Sequence, residues 1–247
     1  MSYSYNPKIN NNGEYLPFHG YTTVSMVVND LNIIEEFLKI SPLSEYFSPL
    51  PSETYHMTVY NIWCHTGKLL NLQKNWLDYH FNRIKNKDGE TKANIFKNNF
   101  IDKLKSQESL SWVWPNELMY NPMHTVSNIC KQNITESFIV NVEIGVSKTL
   151  HLTVAIDSKN VKNKLQSIKN SCTEIFNKDD SAMRYHITLA YQFKEIPESS
   201  YATLNREIDK LRIILNEYYS YKLILNPPDA YWFKSMTKYL NASDMYF

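Results

Sequence analysis

The chain has 247 residues, 21% of them charged and 14% aromatic, with 18 tyrosines, a composition that excludes a disordered polymer and leaves ample length to bury a core. Its formal net charge of +1 excludes broad electrostatic attraction to long polyanions and favours a small or locally gripped substrate over non-specific duplex binding. Cys64, Cys130 and Cys172 are odd in number, widely spaced and without metal-ligand spacing, so they are expected to be reduced, buried thiols, with no metal site and no cofactor.

In chain order, residues 1–20 form a polar lead-in with a turn at Asn12-Gly13, expected on the surface. Residues 1–12 lack the apolar stretch of a signal peptide, and no run approaches the roughly 18 apolar residues of a membrane span, so a soluble, cytoplasmic, monomeric protein with no membrane partner is the expectation. Tyr21 to Val28 is β-rich. Asp30 then caps a helix with apolar positions Leu31, Ile34, Phe37 and Leu38. Pro42, Pro49 and Pro51 mark a loop before a strand from Thr54 to Trp63. Residues 65–135 read as a mainly helical insertion: Leu72, Trp76, Tyr79 and Ile84 suggest one amphipathic helix and Ile95, Phe100 and Leu104 another, about a turn at Lys87-Asp88-Gly89. Phe138 to Val146 and Thr149 to Ile156 look like a hairpin, Asp157 or Ser158 caps a helix bearing Val161, Leu165, Ile168, Cys172 and Ile175, and Arg184 to Phe193 is a strand. A helix from about Ser199 to Tyr218, a strand Tyr221 to Leu225 and a short run Tyr231 to Phe233 complete the chain.

Two of these strands carry the same pattern, Tyr55-His56-Met57-Thr58-Val59-Tyr60 and Tyr185-His186-Ile187-Thr188-Leu189-Ala190-Tyr191. Because strand side chains alternate faces, each His shares a face with the Thr two positions on, about 6 to 7 Å along the strand. An imidazole that moves a proton near neutral pH beside a hydroxyl that donates to a non-bridging oxygen suits a phosphodiester. The surrounding units repeat as well: 26 residues separate Asp30 from His56 and 28 separate Ser158 from His186, which gives two β-α-β units, about 21–63 and 149–193. A third match, His151-Leu152-Thr153-Val154, falls on the strand before the capped helix, where the first unit has Tyr21 to Val24. With seven histidines about 0.4 such matches arise by chance, and position makes His151 the accidental one, a packed or surface strand residue.

The pair His56-Met57-Thr58-Val59 and His186-Ile187-Thr188-Leu189 resembles the signature of the 2H phosphoesterase superfamily, which includes LigT-like RNA ligases and cyclic phosphodiesterases. Gly13-Glu14-Tyr15-Leu16-Pro17-Phe18-His19-Gly20-Tyr21-Thr22 and Leu50-Pro51-Ser52 add a likeness to a poorly characterised branch, over almost the whole chain apart from the insertion. The resemblance implies a bilobal α/β (α+β) fold with two antiparallel-rich sheets about a central cleft. It also implies metal-independent chemistry, His56 and His186 as acid and base, and Thr58 and Thr188 on the phosphate.

Beyond these four catalytic candidates, Tyr60, four residues past His56, and Arg184, two before His186, are placed on the motif face by strand alternation. With Tyr191 and Trp232 they are the candidate substrate-binding residues; Trp112, Trp114, Tyr231 and Phe233 are weaker ones, with core packing the competing role. His19, His65, His80 and His124 are expected to be structural. The expected activity is cleavage of a 2′-5′-linked or 2′,3′-cyclic phosphodiester in a small nucleotide or short oligonucleotide, including a nucleotide signal. An RNA-end-processing enzyme and a non-catalytic nucleotide-binding module are the alternatives; the matched acid and base argue against the last.

Overall fold

The computed structural model describes residues 6–18, 20–64, 69–105, 117–176, 178–180 and 182–242. Trp112, Trp114, His19 and His65 lie outside them. Among the described residues the fold is α+β: six α-helices and one curled, wholly antiparallel sheet of nine strands, a half-barrel.

The first unit runs β1 (Gly20–Met26), α1 (Asn32–Ile40), β2 (Phe47–Pro49) and β3 (His56–Cys64). The N-cap of α1 is Leu31 and has no side-chain cap, so Asp30 does not cap the helix as expected. One position further out, its carboxylate accepts from the Asn32 amide at 2.9 Å, and α1 buries Ile34 and Leu38. Helices α2 (Leu69–Asp88), α3 (Glu90–Lys105) and α4 (Glu117–Asn133) make up the insertion; Gly89 breaks the first from the second. Ile95, expected to be on an apolar face, is 57% exposed, while Leu77 and Ala93 are buried; the side chains of Leu72, Trp76, Tyr79, Phe100 and Leu104 lie outside those described. The second unit is the hairpin β4 (Phe138–Val146) and β5 (Thr149–Ala155), then α5 (Lys159–Phe176) and β6 (His186–Gln192). The Ser158 hydroxyl accepts from the Val161 amide at 3.3 Å, so Ser158, not Asp157, caps α5. The chain closes with α6 (Tyr201–Tyr219), β7 (Lys222–Leu225), β8 (Asp229–Ser235) and β9 (Lys238–Asn241).

The strand order is β7-β4-β5-β6-β3-β1-β8-β9, with β2 pairing β6 off this path. The two units therefore sit back to back with the motif strands innermost. The two separate sheets expected are one, because β3 and β6 pair at a single position, Met57 with Ile187. Both side chains are fully buried. Beyond that seam the Pro-containing segment intrudes: β2 occupies the β6 edge, Phe47 to Pro49 pairing Gln192 to Ala190, and the Leu50 amide donates to the Leu189 carbonyl at 2.8 Å. β3 is thereby held away from the rest of β6, and a cleft opens between the motif strands.

One face of the inner strands is sealed by α5, which packs on β3 and buries Leu165, Ile168, Cys172, Ile175 and Phe176. At about 1.5 to 3 kcal/mol for each large apolar side chain removed from water, this stripe holds the helix to the sheet and leaves the opposite face of the motif strands for chemistry. The lead-in is not simply surface: the Asn12-Gly13 turn is present, but Ile9 and Phe18 are 0% and 4% exposed and belong to the core. The Tyr15 hydroxyl donates to the Ser48 carbonyl and the Ser48 hydroxyl to the Gly13 carbonyl, at 2.6 and 2.7 Å, which staples the lead-in to β2.

Candidate active site in the cleft between the motif strands

His56, Thr58, His186 and Thr188 all line one cavity of about 370 Å³. The antiparallel sense of β3 and β6 about Met57 and Ile187 directs each histidine towards the other strand's threonine. The two imidazoles are held alike. His56 Nδ1 lies 2.7 Å from the carbonyl of Thr54, and His186 Nδ1 lies 3.0 Å from the carbonyl of Arg184, in each case two residues upstream. A carbonyl can only accept, so Nδ1 carries the proton and a neutral ring keeps Nε2 as its free acceptor. Burial pushes the His56 imidazole down to about 4, against the pull of its bond to Thr54 and with help from the positive charge of Lys8 and from His186. Tyr239 of β9 packs against the His56 ring, centroids 4.4 Å apart.

Both motif strands bulge just after the threonine. Val24 faces Thr58 but Thr23 faces Tyr60, leaving Val59 as an extra residue; His151 faces Thr188 but Leu150 faces Ala190, leaving Leu189 extra. A bulge reverses which face later residues occupy. The cleft-lining positions of β3 are therefore His56, Thr58, Asn61 and, past a second irregularity, Cys64; those of β6 are His186, Thr188 and Tyr191. Tyr191, expected as a substrate contact, does line the cleft. Tyr60 does not: it is fully buried, its ring stacks near Phe176, and its hydroxyl donates to the Lys178 carbonyl at 2.7 Å.

Two other expected contacts fall elsewhere. Arg184 precedes β6 and its side chain is exposed and absent from the cleft lining; its carbonyl, orienting His186, is what it brings to the site. Trp232 alternates away on β8 and is 6% exposed, while its neighbour Phe233 faces the cavity. Gly20 makes room for Phe233, since a Cβ there would lie 2.2 Å from the Phe233 ring. Tyr231 is absent from the cavity lining.

Sequence reasoning missed Lys8, Asn61, Asp180, Met183 and Tyr239. Lys8 Nζ donates to the Tyr191 hydroxyl at 2.9 Å, and the Asn61 amide donates to the Asp180 carboxylate at 2.9 Å. His151 is half-buried, with Nδ1 3.2 Å from the Thr149 carbonyl, and its ring meets that of His186. Cys130 and Cys172 are buried, burial pushing the Cys172 thiol up to about 12, whereas Cys64 is only partly buried, at the cleft. Among the described residues no three His, Cys, Asp or Glu side chains are grouped to hold a metal ion, and no helix is long and apolar enough to cross a membrane.

No family model matches the chain. It is similar to the uncharacterized protein 127L of Invertebrate iridescent virus 6, 29% identical over 248 residues that span 95% of this chain and 94% of that protein. Among solved structures it is similar to the conserved protein of unknown function ATU0111 from Agrobacterium tumefaciens, with a TM-score of 0.52 and 17% identity over 96% of this chain and 89% of that one. At that identity the likeness concerns the fold.

Proposed function

We propose that the chain is a 2H-type phosphodiesterase that cleaves a 2′-5′-linked or 2′,3′-cyclic phosphodiester in a small nucleotide, with His56 and His186 as its proton-transfer pair. The observation that carries this is the matched anchoring of the two rings, Nδ1 on a backbone carbonyl two residues upstream in both, with Thr58 and Thr188 in the same cleft. A cavity of about 370 Å³ is at the small-ligand scale, which supports a nucleotide over a long polymer.

In a 2′-5′ linkage the neighbouring 3′-hydroxyl is a tethered nucleophile. His56, kept neutral by burial, takes its proton on Nε2. The 3′-oxygen bonds to phosphorus, the bond to the 5′-oxygen breaks, and His186, entering this step as the imidazolium with protons on both nitrogens, delivers its Nε2 proton to that leaving oxygen. The products are a 2′,3′-cyclic phosphate and a free 5′-hydroxyl. Ring opening runs the exchange in reverse, with water in the place of the departed 5′-hydroxyl. His186 takes the water's proton as its oxygen bonds to phosphorus, the bond from phosphorus to the 3′-oxygen breaks, and His56 returns its proton to that oxygen. Each proton transfer contributes about 10²- to 10⁴-fold, and the threonine hydroxyls stabilise charge on the non-bridging oxygens. No step requires a divalent cation.

The test is incubation with 2′-5′, 3′-5′ and 2′,3′-cyclic nucleotides in EDTA, with products separated by chromatography. Turnover of a 2′-5′ or 2′,3′-cyclic substrate is expected, abolished by His56→Ala or His186→Ala and reduced about 10- to 100-fold by Thr58→Ala or Thr188→Ala. Full activity in either histidine variant, or a strict metal requirement, sinks the proposal.

A further inference from the structure

We infer that Lys8 is the cationic grip of the cleft: its ammonium binds a non-bridging phosphoryl oxygen and holds the phosphorus between the two histidines. The inference rests on the reading above for its phosphodiester, though not for its anion.

Lys8 is delivered to the cleft by a pinned backbone. Its amide donates to the Asn6 side chain at 3.0 Å, its carbonyl accepts from the Leu16 amide at 3.0 Å, and Ile9 beside it is fully buried. The side chain enters the cavity lined by His56, Thr58, His186 and Thr188. There Nζ donates to the Tyr191 hydroxyl and lies over the rings of Phe18 and Tyr191, 5.1 and 4.8 Å from their centroids. Tyr191 stands three residues beyond Thr188 on β6, so the ammonium is tied to the strand that carries half the motif.

Its charge is not balanced by an acid. Among the described residues no carboxylate lies within ion-pairing distance of Lys8, although Asp180 lines the same cavity. An ammonium has three N–H donors, and the Tyr191 hydroxyl takes one. Of the other groups lining the cavity, the imidazoles of His56 and His186 carry no negative charge in either their neutral or their protonated form. A lysine resting on aromatic faces with donors to spare has an anion as its complement, and a charge-assisted bond from it is roughly twice as strong as the neutral bonds the threonines donate. A phosphodiester carries one negative charge, which matches.

The experiment uses the full chain with inorganic phosphate as probe, measured by calorimetry. It compares wild type, Lys8→Met, Lys8→Arg and His186→Ala, each checked for an unchanged Tm; Lys8→Gln replaces Lys8→Met should the latter not fold. Lys8→Met is expected to weaken phosphate binding and to lower kcat/KM on the turned-over nucleotide, each by about tenfold or more. Lys8→Arg should stay within a few-fold of wild type, and His186→Ala should still bind phosphate while turning nothing over. Phosphate affinity unchanged in Lys8→Met, no phosphate binding by wild type, or equal loss in Lys8→Arg and Lys8→Met overturns the inference. Lys8-dependent phosphate binding with no nucleotide turned over by wild type discards the phosphodiesterase reading and leaves the grip standing.

Discussion

His151 packs edge-on against His186, ring centroids 5.7 Å apart at 73°. By register His151 faces Thr188 where Val24 faces Thr58 in the other unit, so one unit carries an extra imidazole beside its motif. Burial, followed by the nearby His186, holds the His151 imidazole below its ordinary value despite the bond to Thr149. The ring lies across Gly145 on β4, where a Cβ would come within 2.5 Å of its Nε2.

Removing the ring in His151→Ala forfeits an aromatic contact of about 0.5 to 1.5 kcal/mol and loosens His186, so kcat should fall about two- to tenfold. Gly145→Ala, which displaces the ring without deleting it, should fall comparably. Steady-state kinetics on both variants check this; wild-type kcat in both would reduce His151 to a bystander, and loss as complete as in His186→Ala would make it a third essential group.

The burial that lowers His56 to about 4 also makes stability depend on pH. Between about 6.5 and 4 the unfolded chain takes up a proton at His56 that the folded chain refuses, so stability is present in full above the unfolded value and falls as pH drops through this window. The loss attributable to His56 is about 2 to 3 kcal/mol. Urea titrations of wild type and His56→Gln at pH 7.5, 6, 5 and 4 should show the variant declining less by that amount. Parallel curves would mean His56 ionises freely in the fold.

Tyr60→Phe separates packing from substrate binding. The hydroxyl ties β3 to the Lys178 carbonyl, in the segment that also supplies Asp180 and Met183 to the cavity. Its removal should cost about 1 kcal/mol of stability, more if the carbonyl is left unpaired, with KM changed by less than about threefold. Thermal unfolding and steady-state kinetics read the two effects separately. A large rise in KM at unchanged Tm would restore Tyr60 as a substrate contact.

What was legible beforehand follows the range of the interactions. The Ser158 cap and the apolar stripes of α1 and α5 are local patterns, and in each half a strand, a helix and a motif strand follow in that order, whereas Asp30 lies one position outside the Leu31 N-cap of α1. The His and Thr of each motif share a face because only two residues of regular strand separate them. Alternation fails at the next step, at the Val59 and Leu189 bulges, which exchange Tyr60 for Asn61 and bring Tyr191 inward. Bulges arise from pairing with β1 and β5 and leave no reliable mark in the strand's own composition. Lys8 and Tyr239 reach the cleft through contacts 183 residues apart, from Lys8 to Tyr191, and across sequence from Tyr239 to His56, which no local signal announces. The single sheet likewise rests on one long-range pairing, Met57 with Ile187, and β2, which opens the cleft beside it, carries Pro49 and reads as a loop until its pairing with β6 is seen.

The choice of nucleophile offers the sharpest test of the proposed chemistry. If the substrate's own hydroxyl attacks, a 2′-5′ dinucleotide lacking the adjacent 3′-hydroxyl should not be cleaved, because the effective concentration of a tethered group is lost with it. The deoxy analogue should still bind with an affinity within about tenfold of the parent, since phosphate and base contacts remain available to it. Chromatography should show a 2′,3′-cyclic phosphate as first product from the intact dinucleotide and none from the analogue, while calorimetry with His186→Ala measures binding of both without turnover. Cleavage of the analogue at the parent rate would replace internal attack with an attacking water, and His56 would then take its proton from that water. Ring opening of 2′,3′-cyclic substrates with no cleavage of linear 2′-5′ linkages would move the activity to RNA ends, because the cleft would then accept the cyclic phosphate alone.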